Sequence, residues 1–250
     1  FGSGSNHCDW LAAGVVEVKD GAAVIDDQGR PSWKILLAKR DEYEILDTWY
    51  TTGLRGTGSN DYRVRDLFVP EERSFSLLGT PQRPGPLWAR PDTLLRKMAG
   101  VPLGVAADAI DTAIAMLRDK TDRLSGIPYR DMPRVQLAVA EAQAMLGSAR
   151  SYVFSSLETQ WRKLESGEPL TELERANVWL SRTNAFQTAR KVVGLLYDTI
   201  GANAIYADRG PFDRHMRDIQ TGCQHIVGQT KAWEGVGQLL LGGTPAAPLL

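Results

Sequence analysis

Thr48-Trp49-Tyr50-Thr51-Thr52-Gly53-Leu54-Arg55-Gly56-Thr57-Gly58-Ser59-Asn60-Asp61, running on to Leu67-Phe68-Val69-Pro70, decides how this chain is read. Gly53, Gly56 and Gly58 fall within six residues, which is costly inside a regular helix or strand, so the segment is a shaped loop. Arg55 adds a charge, Thr57 and Ser59 add hydroxyls, and Trp49 adds a ring. A backbone that admits close approach, donors that orient and a ring that stacks together make a binding surface. The plainer alternative is a Gly-rich hairpin between two strands.

Upstream and downstream of the loop the pattern is that of strands. Trp10 to Val18, Ala22 to Asp26, Trp33 to Lys39 and Tyr62 to Val69 are short, rich in β-branched and aromatic residues, and separated by Gly, Pro and Asp turns. Five prolines (Pro70, Pro81, Pro84, Pro86, Pro91) and two glycines then mark a connecting segment. From about Asp92 the period becomes helical. Met98 to Leu117 is one predicted helix and Pro133 to Leu164 a second, opened by its proline. Thr171 to Ile200 is a third, with Thr171 and Glu174 spaced as a capping box and Gly201 at its end. Pro211 to Leu241 is a fourth, with a break possible at Gly222 or Gly228. The expected class is α+β: an antiparallel β-domain over residues 1–83, then a four-helix bundle over 84–250.

Composition narrows the function classes. The 250 residues are 43% hydrophobic and 24% charged, ordinary for a globular protein. With 29 basic and 30 acidic residues the net charge is −1, so no field exists to attract nucleic acid or anionic lipid. No run of 18 apolar residues argues for a membrane span. Cys8 and Cys223 are far apart without a CxxC, a poor basis for a disulfide or zinc site, and a reducing cytoplasm is the default expectation. Phosphate loops and GxGxxG fingerprints are missing, and Asp208, Asp213 and Asp218, five apart, suit neither a helix face nor a calcium loop.

A Trp followed by Gly53-Leu54-Arg55-Gly56-Thr57-Gly58-Ser59 and a strand ending in Val69-Pro70 resembles the central β-domain of the acyl-CoA dehydrogenase superfamily. The G-T-G-S version is similar to its flavin-dependent monooxygenase branch, the two-component oxygenases with a type-2 C-terminal domain. Phe1-Gly2-Ser3-Gly4-Ser5 resembles that branch's aromatic-x-Ser-Gly segment, and Arg217-Asp218 followed by His225 completes the likeness. The family opens with an all-helical N-terminal domain, and this sequence is expected to start inside the β-domain, without it.

The resemblance implies the site. His225 is the catalytic candidate, for substrate deprotonation or for stabilising a peroxide on the flavin, because imidazole both donates and accepts near neutrality. Read from the sequence alone it is a helical histidine, a type that usually rests in a core or on a surface. The positions where dehydrogenases keep their carboxylate base match Ile226 and Leu94 here, and neither can accept a proton. Ser3 is the second catalytic candidate and matches the hydroxyl facing the flavin N5 edge, with Ser5 as its neighbour by alignment slip. Phe1, Ser3, Trp49 and Ser59 are cofactor-binding candidates, joined by Arg123 of Arg123-Leu124-Ser125-Gly126, which resembles an Arg-x-x-Phe-Gly cofactor contact without its Phe, and by Gly201 and Asn203, where dehydrogenases hold a neighbouring subunit's pyrophosphate. His7 and His215 receive no role, and a metal site is not expected.

The implied function is the oxygenase component of a two-component flavin-dependent monooxygenase. A flavin reductase partner would supply reduced FMN or FAD, and O2 would be activated as a C4a-hydroperoxyflavin to oxygenate an aromatic or heteroaromatic small molecule. Two alternatives stand beside it: an acyl-CoA dehydrogenase-like FAD oxidoreductase, and a non-catalytic helical scaffold. The resemblance also implies a homo-oligomer, a tetramer.

Overall fold

A computed structural model describes residues 1–26, 29, 31–76 and 79–245. The chain divides into two compact units: residues 1–51 with 55–82, and residues 52–54 with 83–250.

The first unit is antiparallel. Strands β1 (Trp10–Val16) and β4 (Trp33–Lys39) pair along their whole length, from Trp10 opposite Lys39 to Val16 opposite Trp33. Alternation along β1 sends Leu11 and Ala13 inward, where they meet Ala38 and Tyr43 in a small core. Between these strands β2 (Val18–Lys19) and β3 (Ala22–Ala23) form a two-residue hairpin. Its turn, Asp20-Gly21, has positive φ at both positions (52° and 80°), the twist that such hairpins require. Strand β5 (Glu44–Leu46) pairs with β6 (Asp61–Arg63), and β7 (Ser74–Phe75) adds an edge to β4.

Three strand expectations change. The predicted strand Trp10–Val18 ends at Val16, with β2 beginning at Val18, and Ala22–Asp26 is regular only at Ala22–Ala23. Tyr62–Val69 is paired only through Arg63: Asp66 takes φ +47°, which no strand tolerates, and Phe68 is exposed. Strands β5 and β7 were not predicted, being too short to show a period.

The second unit is helical. After a one-turn helix α1 (Thr93–Arg96), the long helices are α2 (Gly100–Arg118), α3 (Pro133–Ser166) and α4 (Glu172–Ile200). Ala106, Ala109, Ile110, Ala113 and Leu117 of α2 are buried with Val192, Val193, Leu196 and Ile200 of α4 in one core. By length and composition alone, Thr93–Arg118 could also cross a bilayer, but its buried stripe is that of a bundle helix. Pro133 sits in the first turn of α3, and Gly167 ends it in the left-handed conformation (φ 76°).

The capping box at α4 is formed. The Thr171 hydroxyl accepts the Glu174 N–H (3.2 Å), and the Glu174 carboxylate accepts the Thr171 N–H (2.8 Å). Lys163 at the end of α3 reaches the same carboxylate at 2.7 Å and, with these bonds, pulls its pKa down to about 2 from 4.5. A carboxyl lowered in the fold contributes stability above its ordinary pKa and loses it as pH falls from 4.5 toward 2. Glu174→Gln should therefore lower the urea midpoint at pH 7, with the deficit shrinking below pH 4.5. An equal deficit at all pH values would place the effect elsewhere.

The predicted fourth helix is two: α5 (Phe212–Gly222) and α6 (Lys231–Leu240). The break begins directly after Gly222 and runs across Gly228 to Thr230. A Cβ on Gly228 would lie 3.1 Å from the Phe186 ring and 3.2 Å from Cys223 Cα, so the chain turns where it presses on α4.

Candidate active site

In the first unit the N-terminal segment is tied to the Gly-rich loop. Gly2 N–H donates to the Asn60 carbonyl (2.9 Å) and Gly4 N–H to that of Thr57 (2.8 Å). Gly4 turns with φ +77°. This brings three hydroxyls into line: Ser3 Oγ lies 2.8 Å from Ser59 Oγ, which lies 2.7 Å from Thr57 Oγ1. Ser59 is 3% exposed and spends its hydroxyl on these neighbours, whereas Ser3 is exposed and keeps hydrogen-bonding capacity toward a ligand. Ser5, the alternative, is buried and directs its hydroxyl to the Gly58 carbonyl at 3.5 Å.

Asn60 went unassigned in the sequence and is the organiser of this loop. Its Oδ1 accepts from the backbone N–H of Thr48 (3.1 Å) and Trp49 (2.9 Å), and its Nδ2 donates to Asn6 Oδ1 (3.3 Å). Trp49 is thereby fixed beside Phe1, ring centroids 6.1 Å apart. An Asn following Gly58-Ser59 in a turn was the available signal.

The second unit explains the motif's first glycine and the Arg-Asp pair together. Leu54 N–H donates to Asp218 Oδ1 (2.6 Å), and Arg217 Nη1 donates to the Thr52 carbonyl (2.9 Å). Gly53 lies against the backbone of Arg217, too close for any side chain. Its freedom serves this internal contact and not, as the sequence suggested, approach to a ligand.

His225 is not on a helix. It occupies the turn between α5 and α6, which α4 holds from below: Thr183 Oγ1 donates to the Val227 carbonyl (3.0 Å), Gln187 Nε2 to that of Gly228 (2.6 Å), and Cys223 Sγ to that of Phe186 (3.4 Å). Thr183 and Gln187 are buried polar residues on an otherwise apolar face, and that pattern was their only sequence signal. Val227 N–H donates to His225 Nδ1 (3.3 Å), which leaves the neutral ring's proton on Nε2. Partial burial, with Arg182's positive charge adding to it, pushes the His225 pKa below its usual value, so the ring is neutral at pH 7. The adjoining Ile226 is 74% exposed and Leu94 is 46% exposed.

Arg123, Gly201 and Asn203 gather at another end of the bundle. Arg123 is exposed in the loop after α2, and Gly201 (φ 70°) closes α4. Lys120, unassigned in the sequence, donates to the Ile200 carbonyl (2.8 Å) and joins the two segments, while Asn203 accepts from Arg209 at 3.4 Å. From Gln187, which holds the His225 turn, to Gly201 is roughly 20 Å along α4 at 1.5 Å per residue. Within one chain, these three residues and His225 do not meet. Among the described residues no group of His, Cys, Asp or Glu could hold a metal.

The class follows from comparison: residues 97–230 match the family described as acyl-CoA dehydrogenase, C-terminal domain, and the chain belongs to it. Among curated proteins it is 29% identical to the pigment production hydroxylase of Rhodococcus erythropolis, over all of this chain and 65% of that one. It is also 29% identical to the indole-3-acetate monooxygenase of Pseudomonas putida, over 98% of this chain and 61% of that protein. The chain thus spans less than two thirds of these relatives. The crystal structure of 3-HSA hydroxylase from Rhodococcus sp. RHA1 superposes with a TM-score of 0.84 at 25% identity, covering 99% of this chain and 64% of that one. XiaF from Streptomyces sp., solved with FADH2 and glycerol, shares the fold (TM-score 0.83, 22% identity, 100% and 64% covered).

Proposed function

We propose that this chain carries the oxygenase chemistry of a two-component flavin-dependent monooxygenase acting on an aromatic or heteroaromatic small molecule. A separate reductase supplies reduced FMN or FAD. The observation that carries the reading is His225, a neutral imidazole held in one tautomer beside Ile226, the position matched to a dehydrogenase carboxylate. The names of the relatives, hydroxylases and monooxygenases, point the same way.

The residues fit a flavin in two respects. Ser3 offers an exposed hydroxyl, backed by Ser59 and Thr57, to a ring nitrogen, and Phe1 and Trp49 offer rings beside it. Bound reduced flavin would supply the electrons and the ring carbon at which O2 reacts. His225 then donates from Nε2 to an anionic oxygen such as a phenolate; taking a proton at Nδ1 would first cost it the Val227 N–H. Ile226 and Leu94 can remove no α-proton, which disfavours the dehydrogenase alternative.

Arg123, Gly201 and Asn203 serve the distal half of a flavin belonging to a neighbouring copy, which makes a homotetramer the expected assembly. An apolar groove of about 450 Å³ lined by Ile114, Leu117, Val135 and Val139 suits such self-association. The cysteines, Cys8 and Cys223, are free, consistent with a cytoplasmic location.

The test is to mix the protein with reduced flavin under nitrogen and then admit air. A long-lived oxygenated flavin species is expected. Tight oxidised FAD bleached by an acyl-CoA would establish the dehydrogenase, and no flavin interaction would establish the scaffold. In the same assay Ser3→Ala should shorten the species' lifetime by about tenfold, the scale of one lost hydrogen bond to a charged group; an unchanged lifetime removes Ser3.

A further inference from the structure

The helical unit buries more positive charge than it neutralises. Asp92, 1% exposed, is engaged on both oxygens: Oδ1 accepts from Arg96 Nε (3.1 Å) and lies 3.0 Å from Arg96 Nη2, which donates to Thr93 Oγ1, and Oδ2 accepts from Gln160 Nε2 (2.9 Å). Arg90 Nε stands 3.8 Å from Oδ1, beyond a hydrogen bond. Arg182, 3% exposed, lies over the Trp179 ring at 5.2 Å and also feels the Asp92 charge. Arg90 and Arg96 thus lie within 4 Å of one carboxylate, whose charge also reaches the buried Arg182.

Their polar atoms are not all satisfied. Among the described residues Arg182 Nε, Arg90 Nε and Gln160 Oε1 are buried without a hydrogen-bond partner. Uncompensated buried cations and orphaned N–H groups are both costly, and proteins retain them where a ligand completes them. Burial lowers the pKa of Arg90 and draws that of Arg182 to about 10, which leaves both charged at neutral pH.

The cluster's place is also informative. The residue after Arg182 is Thr183, which holds the turn bearing His225, and the Arg182 charge reaches that imidazole. Arg90, with 19% of its side chain exposed, is the side open to approach.

We propose that Arg90, Arg96 and Arg182, gathered around Asp92 and Gln160, form a subsite for an acidic group of the substrate, a carboxylate borne on an aromatic ring. This rests on the oxygenase reading and deepens it by naming the substrate's charge. Planar guanidinium groups match a carboxylate in two parallel bonds. A phosphate dianion fits worse, because the Asp92 carboxylate stands in the middle of the cluster. Gln160 Oε1 is left to accept from a bound water or from a hydroxyl on the ligand.

The experiment needs no flavin. Benzoate, phenylacetate and 3-phenylpropanoate are each titrated against the neutral amide of the same ring by calorimetry, with inorganic phosphate as a further probe. At least one acid should bind more tightly than its amide, and phosphate more weakly than that acid. Arg182→Gln should reduce the acid-to-amide preference about tenfold or more, as expected for a charged hydrogen bond. Should that variant fold poorly, Arg90→Gln, at the open side, should reduce the same ratio. A ratio is read because general loosening weakens acid and amide alike. Equal binding of every acid and its amide, no binding of any acid, preference for phosphate, or ratios unmoved in both variants would overturn the proposal. Acid preference with no response to reduced flavin would spare the subsite and sink the oxygenase; coupled turnover confined to uncharged rings would do the reverse.

Discussion

Replacing His225 by alanine should leave reduced flavin bound and oxygen consumed while product formation falls by about a hundredfold, the scale of a lost preorganised donor at a developing oxyanion. Reducing equivalents would instead appear as hydrogen peroxide. The ratio of product to peroxide, measured with reductase and substrate present, reads this directly. His225→Gln keeps an N–H donor near the same place and should recover part of the coupling. The wild-type profile adds a sign. A histidine whose pKa is lowered in the fold is neutral above that value, so the coupled rate should fall only below pH 6.5, and this limb should vanish in His225→Ala. Full, coupled turnover in His225→Ala would take the imidazole out of the chemistry.

The second large effect is on stability. An alanine Cβ at position 53 would stand 2.1 Å from the Arg217 carbonyl oxygen, 2.4 Å from its carbon and 2.7 Å from Asp218 N. All three are backbone atoms of α5, so no side chain can swing aside. Relief requires the Thr52–Leu54 segment to leave α5, with loss of the Leu54–Asp218 and Arg217–Thr52 hydrogen bonds. Gly53→Ala should therefore cost about 3 kcal/mol or more, since overpacking and two lost bonds add. Gly56 is the control: nothing lies within 4 Å of the added carbon, and Gly56→Ala should stay within about 0.5 kcal/mol of the parent. Urea unfolding of both variants separates them; equal midpoints would show that the loop shifts freely.

Much of the fold was legible because its periods are long. Helices α2, α3 and α4 were placed within a few residues, and the Thr171–Glu174 box marked the start of α4 correctly. Strands β5 and β7, at three and two residues, carry too few alternations to read. Tyr62–Val69 misled because its apolar residues continue after the hydrogen bonding has stopped at Arg63. The site was half legible. Ser3, Ser59 and His225 are singled out as candidates by a motif, since their chemistry is exposed in type and spacing. Asn60, Thr183, Gln187 and Arg182 were not, because each acts across more than ten residues of chain, on partners that only the folded backbone brings near.

The turn that carries His225 is anchored from within the bundle, by Thr183 and Gln187, while Gln224, His225 and Ile226 themselves are exposed. The anchoring of the His225 turn and its rim are thus governed by different parts of the molecule. Evolution could remodel the rim for a new ring shape without disturbing the ring nitrogen's direction. Conversely, a quiet change deep in α4 could retune reactivity while every residue within a substrate's reach stayed the same.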